Sequence, residues 1–215
     1  MKFSLIITAG GTSSRYGNKN KLLEKIDSET VIEHSIKPFL GFDEITEIII
    51  PANISIIEDL KNIFSDSKIH ITEGGQTRQE SVYKALQIAT GEYIIIHDGA
   101  RPLVTETIIK NVIDAGQKYG AVSVMTKTTD TIKEVDEFGK IVRTIDRSKL
   151  YNTQTPQAFR RDLIVKAHDN LKGESYTDDA SMLEKFEIPV YITQGDYKNI
   201  KITSKSDLNF AKIYI

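Results

Sequence analysis

The chain has 215 residues, 40% of them hydrophobic and 27% charged, with a net charge of −2. That length suits a single α/β domain with a sizeable core, and the near-balanced charge gives no global attraction to nucleic acid. The absence of cysteine excludes disulfides, thiolate catalysis and cysteine-based zinc sites.

Residues 3–8 form a short apolar run that breaks at Ala9-Gly10-Gly11, and its β-branched content predicts a buried strand. The run is too short for a signal peptide's apolar segment or a bilayer span, so a soluble, cytoplasmic protein with no membrane partner is expected. Val31, Ile32, Ser35, Ile36 and Phe39 have helical spacing over Thr30–Phe39. Residues 45–50 predict a second strand, stopped by Pro51. An amphipathic helix over Ile54–Phe64 and a third strand over Lys68–Thr72 follow. Gly74-Gly75 then leads into a helix from about Arg78 to Ala89, and Tyr93–Ile96 is a fourth strand ending at His97-Asp98-Gly99.

Strands alternating with helices predict an α/β fold, a mainly parallel sheet with helices on both faces. Ligands in such sheets sit at the carboxyl ends of the strands. Three of those ends carry unusual residues: Ala9-Gly10-Gly11, Gly74-Gly75 and Asp98-Gly99. Thr128–Val135 and Ile141–Ile145, with the turn signal Asp136-Glu137-Phe138-Gly139 between them, read as a protruding β-hairpin at about 127–150. Such an arm buries little unless another chain covers it, so a homodimer through the arm is expected. No interdomain linker is evident, and residues 1–215 read as one domain.

The loop from Ala9 to Gly17 combines small residues with Arg15, and Lys19 and Lys21 follow. Small residues let backbone N–H groups approach phosphate oxygens while cations neutralise them. It is neither a Walker A loop nor a dinucleotide fingerprint, and a basic surface loop has the same composition. Gly74-Gly75-Gln76-Thr77-Arg78-Gln79-Glu80-Ser81 reads first as a turn opening a helix, with Thr77 as N-cap and Glu80 closing a capping box. A glycine pair at a strand end also lets a nucleobase lie against backbone. Asp98, directly after a buried strand, is a natural Mg²⁺ ligand beside substrate phosphates; the alternative is an Asp98–Arg101 pair bracing the loop. His97 reads as a packed strand residue rather than a base, because phosphoryl transfer rests on positioning and charge. Lys201 sits in a strand-like segment, Asn199–Thr203, where a solvent-facing edge lysine is the plainer reading. Asp178 and Asp179 read as a helix N-cap, and His34, His70 and His168 lack metal-ligand spacing.

Six segments in order resemble the 2-C-methyl-D-erythritol 4-phosphate cytidylyltransferase family over essentially the whole chain. They are the Gly-rich first loop, Gly74-Gly75-x-x-Arg78-x-x-Ser81-Val82, His97-Asp98-Gly99-Ala100-Arg101-Pro102, Thr155-Pro156-Gln157, Thr177-Asp178-Asp179-Ala180-Ser181 and Asn199-Ile200-Lys201-Ile202-Thr203. The resemblance implies a Rossmann-like nucleotidyltransferase fold that transfers CMP from CTP to methylerythritol 4-phosphate with Mg²⁺. It implies that Arg15, Lys21 and Lys201 are catalytic, gripping the triphosphate and offsetting charge at the α-phosphorus. Ala9, Gly10, Gly11, Gly75, Gln76, Arg78 and Ser81 would hold the nucleotide, Asp98 the metal, and Gly99 would lie by the ribose. Arg101 and Thr177 would line or brace the acceptor site, and Thr131 and Arg147 would reach it from the partner's arm. The chain departs from the family at Asn20, where proline is common, and at Gly10 and Gly99, where alanine is common. Ribitol 5-phosphate cytidylyltransferase is the nearest rival; Asp146-Arg147-Ser148-Lys149-Leu150-Tyr151 looks closer to the methylerythritol enzymes. A non-catalytic CTP-binding regulator would bind CTP without releasing pyrophosphate.

Overall fold

The computed structural model describes residues 1–11, 16 and 20–215, so Arg15 and Lys19 lie outside the described residues. The elements are β1 (Phe3–Thr8), a small ribbon of β2 (Lys25–Ile26) and β3 (Glu29–Thr30), α1 (Val31–Ile36), β4 (Ile45–Ala52), α2 (Ile57–Ile63), β5 (Ile69–Glu73), α3 (Arg78–Ile88) and β6 (Tyr93–Asp98). Next come α4 (Glu106–Tyr119), β7 (Ala121–Lys127), β8 (Lys133–Val135), β9 (Ile141–Thr144), β10 (Tyr151–Arg160), α5 (Arg161–Asn170), α6 (Asp179–Glu184), β11 (Tyr191–Gln194) and α7 (Lys205–Tyr214).

Among the described residues a seven-stranded sheet runs in the order β11-β7-β10-β6-β1-β4-β5. Its pairings are parallel except along β10, which runs antiparallel to both β6 and β7. Alternation of side chains along each strand splits the core into two layers. Leu5, Ile7, Ile48, Ile50 and Ile95 face α1, α2, α4 and α7. Ile6, Ile49, Ile94 and Ile96 face α3, α5 and α6. Central strands buried on both faces explain their near-continuous apolar runs.

Several expectations are corrected. Pro51 does not stop its strand: β4 runs on to Ala52. Proline lacks only a donor, and the Pro51 carbonyl still accepts from the Ala9 N–H at 3.2 Å. The capping box at α3 stays open. Thr77 Oγ1 accepts from the Glu80 N–H, but the Glu80 carboxylate turns to the Gln76 N–H at 2.8 Å. Asn199–Thr203 is irregular rather than a strand, because the Ile202 N–H donates to the Ala100 carbonyl outside any ladder. The arm's strands are shorter than the predicted runs, with its turn at Gly139 (φ +80°).

Candidate active site

Parallel pairing sets Thr8 beside Asp98 at the carboxyl ends of β1 and β6. A cavity of about 320 Å³ opens there, walled by Gly10, Gly11, Tyr16 and Lys21 on one side. Gln76, Thr77 and Arg78 form another wall, and Thr8, Leu22, Asp98, Ala100, Lys201 and Thr203 complete it.

The cavity centres on the Asp98 carboxylate, of which only 7% is exposed. Oδ1 accepts from Thr8 Oγ1 and Arg78 Nε, both at 3.2 Å. Oδ2 lies 2.9 Å from Lys201 Nζ and 3.6 Å from Arg101 Nε. Burial alone would raise this carboxyl, but Arg78, Lys201 and Arg101 outweigh it and hold Asp98 well below the usual carboxylate range. Lys201 therefore faces inward, where a lone lysine on an edge strand would face solvent. The Asp98–Arg101 contact is present, and the same carboxylate lines the cavity.

Behind Asp98, Thr155 Oγ1 accepts from the Asp98 N–H and meets His97 Nδ1, each at 3.0 Å. The hydroxyl proton is then given to Nδ1, which leaves Nε2–H for the Arg101 carbonyl at 3.4 Å. Burial pushes His97 down to about 3, so it is a neutral, packed residue as the sequence suggests. Arg101 is itself buried beneath the cavity rather than in its wall; burial lowers its pKa. Its guanidinium donates to the Asn199 carbonyl at 2.7 Å. Asn199 Nδ2 donates to the Thr155 carbonyl at 2.9 Å, which pins the irregular segment carrying Lys201.

The Gly74-Gly75 turn is held in shape by α3. Ser81 Oγ accepts from the Gly75 N–H at 2.9 Å and donates to the Thr77 carbonyl at 2.8 Å. Lys84 Nζ donates to the Gly74 carbonyl at 2.8 Å. Gly10 packs against this brace so closely that a Cβ there would sit 2.6 Å from Ser81 Oγ, so the loop's approach requires glycine or a shifted serine. Ala9 is buried, with its N–H and carbonyl both paired to the β4 end, and it stays behind the wall. Gly99 is buried beneath, its N–H on the Thr8 carbonyl.

Of the sequence-derived residues, the fold thus brings Gly10, Gly11, Lys21, Gln76, Arg78, Asp98 and Lys201 to one cavity, with Ala9, Gly75, Ser81, Gly99 and Arg101 as its support. Thr177 is exposed just ahead of the α6 N-cap Asp178. Thr131 and Arg147 lie on the exposed arm, away from this chain's own cavity, where the Arg147 guanidinium donates to the Thr129 carbonyl. Sequence reasoning missed Thr8, Tyr16 and Thr203 in the wall. It also took Asp179 for a capping group. Asp178 is the cap, accepting from the Ser181 N–H, while Asp179 is buried and ion-paired to Arg78 Nη1 at 2.7 Å.

Fold and cavity define an α/β protein that presents cations and glycine-rich backbone to a polyanionic ligand at the ends of parallel strands. The family model for 2-C-methyl-D-erythritol 4-phosphate cytidylyltransferase (IspD) matches residues 3–215. The enzyme of that name from Bacillus cereus is 39% identical over 99% of this chain and 97% of its own length. That from Caldanaerobacter subterraneus is 39% identical over 100% of this chain and 99% of its own. The crystal structure of 4-diphosphocytidyl-2C-methyl-D-erythritol synthase from Anaerococcus prevotii superposes with a TM-score of 0.89 at 31% identity, covering 99% of this chain and 95% of that one. The Francisella tularensis cytidylyltransferase gives 0.86 at 28% identity, covering both chains fully. The chain belongs to the 2-C-methyl-D-erythritol 4-phosphate cytidylyltransferase family and carries its α/β nucleotidyltransferase fold.

Proposed function

We infer that the chain transfers the cytidylyl group of CTP to 2-C-methyl-D-erythritol 4-phosphate, giving 4-diphosphocytidyl-2-C-methyl-D-erythritol and pyrophosphate for isoprenoid synthesis. The observation that carries this reading is the gathering of Lys21, Arg78 and Lys201 with Asp98 in one cavity of a chain with this family membership. An acceptor phosphate oxygen attacks the α-phosphorus in line, the new P–O bond forms, and the bond to the pyrophosphate leaving group breaks. Nucleophile and leaving group are both anionic, so the reaction needs fixed positive charge more than a proton acceptor. Lys21 and Lys201, with Arg15 of the first loop, supply it. The braced Gly74–Gln76 turn and the Gly10 backbone form the bed for the cytosine, and Arg78 the side of the nucleotide pocket. No covalent enzyme intermediate is required.

Asp98 fits a Mg²⁺ held jointly with the triphosphate. It is the one carboxylate among the described residues lining the cavity, and such a single donor beside phosphates is the set Mg²⁺ favours. Among the described residues no group of three or more His, Cys, Asp or Glu is placed to hold a metal ion. When bound, Mg²⁺ would neutralise phosphate charge.

We further propose a homodimer through the arm, in which the partner's Thr131 and Arg147 reach the acceptor. Val135, Ile141, Val142 and Phe138 are exposed on the arm, Phe138 to 87%, and such apolar surface favours a covering chain. The enzyme is proposed to act in the cytoplasm; no described helix is long and apolar enough to cross a membrane. Pyrophosphate release with CTP and Mg²⁺ tests the reading against methylerythritol 4-phosphate, ribitol 5-phosphate and no acceptor. Release with methylerythritol 4-phosphate alone is expected. Release only with ribitol 5-phosphate would move the acceptor, and silence with both despite CTP binding would point to a regulator.

A further inference from the structure

Arg78 lines the cavity and also reaches the interior behind it. Its Nε meets Asp98 in the cavity, and its Nη1 meets Asp179 at 2.7 Å. Asp179 begins α6 and is 1% exposed, and its other oxygen lies 3.3 Å from Nε2 of His168 on α5, also 1% exposed. Four elements, α5, α6, α3 and β6, thus converge on one line: His168–Asp179–Arg78–Asp98. The His168 ring is fixed in turn by a stack on Tyr83, with centroids 6.3 Å apart and planes 20° apart.

A buried carboxylate is costly unless both oxygens are satisfied. Here one oxygen accepts from the arginine and the other from the histidine, so neither partner can turn away without leaving a buried carboxylate oxygen unpaired. Arg78 has several rotatable bonds but is held at two of its nitrogens, which fixes the plane of its fork. Packing alone would be met by an apolar pair at 168 and 179. An ionic line ending on the cavity carboxylate is what orientation requires.

We propose that His168 and Asp179 are positioning residues for the transfer reaction, aiming Arg78 at the nucleotide pocket and at Asp98 from behind. The inference rests on the catalytic reading above. His168 touches neither substrate nor the reacting atoms; its effect passes through Asp179.

The test is a double-mutant cycle read as kcat/KM for CTP with methylerythritol 4-phosphate. His168→Phe keeps a ring against Tyr83 but removes the donor, and is expected to lower kcat/KM about tenfold. His168→Gln carries an amide that reaches Asp179 and should restore activity to within about twofold. In an Arg78→Lys background, His168→Phe should cost less than about twofold more, because coupled residues are non-additive. Equal losses in both backgrounds, a folded His168→Gln as poor as His168→Phe, or a drop in melting temperature at unchanged kcat/KM would each overturn the proposal. Should His168→Phe fail to fold, nitrogen-15 NMR of the unaltered protein decides. A proton on Nε2 of His168 is expected, and a ring protonated on Nδ1 alone would overturn it. An inactive wild-type protein would instead sink the catalytic reading.

Discussion

Replacing Lys201 with alanine removes a cation whose Nζ lies 2.9 Å from the Asp98 carboxylate and which lines the cavity. Two unit charges about 4 Å apart interact by about 4 kcal/mol at an effective dielectric of ~20. The Lys201 side chain is 38% exposed, so solvent screening reduces what it gives to charge building at the α-phosphorus. About 2–3 kcal/mol remains, which corresponds to a loss of roughly 10²-fold in kcat. Asp98 keeps Arg78 and Arg101 in the variant, so the fold should survive with a modest change in melting temperature. Steady-state pyrophosphate release gives kcat and KM, and calorimetric titration of CTP gives Kd. The expected pattern is a large fall in kcat with a Kd changed only a few-fold, because the interaction strengthens in the transition state. A kcat within threefold of wild type, or a Kd raised by the full factor at constant kcat, would refute the reasoning.

Asp98→Asn leaves the buried Arg101 without its counter-charge, and breaking such a pair costs about 3–5 kcal/mol; its urea midpoint should fall, and its Mg²⁺ requirement should rise about tenfold. An unchanged Mg²⁺ titration would argue against Asp98 as a ligand. Burial lowers His97 to about 3 from about 6.5 in an unfolded chain. Its contribution to stability is therefore complete above about pH 6.5 and lost as pH falls toward 3, by up to ~1.4 kcal/mol per pH unit. Asp98 and Asp179, held low chiefly by Arg78 against the effect of burial, add their losses only below about pH 4. Melting temperatures between pH 7 and 5 should thus fall more steeply for wild type than for His97→Gln, and equal slopes would contradict this. Phe138→Asp on the arm should yield monomers by light scattering together with a loss of activity at low protein concentration; a dimer of unchanged mass would remove the arm from the interface.

The first half of the fold was legible because its strands are buried on both faces and its helices are short and amphipathic. Runs such as residues 45–50 leave no other reading, and the glycines after them mark the strand ends where the cavity lies. The later half was harder. β10 contains Pro156 and pairs antiparallel inside a parallel sheet, and no local pattern announces that. The local reading of Lys201 as a solvent-facing strand lysine fails because Ile200 and Ile202 imitate alternation. What turns it inward is a bond from Ile202 to Ala100 and the anchoring of Asn199 by Arg101. The Arg78–Asp179 pair spans 101 positions, so its components read separately as a helix start and a cap. His168 has no spacing signal at all, since its partner is brought by tertiary packing. Cavity residues carried by short motifs were legible, whereas the ionic line behind them was not.

The most direct measurement is phosphorus-31 NMR of the protein with CTP, Mg²⁺ and methylerythritol 4-phosphate. The account predicts loss of the phosphomonoester signal as a coupled pair of diphosphate doublets and free pyrophosphate grow in equal amounts. Pyrophosphate without the coupled pair, or an acceptor signal that persists while CTP is consumed, would contradict transfer to this acceptor.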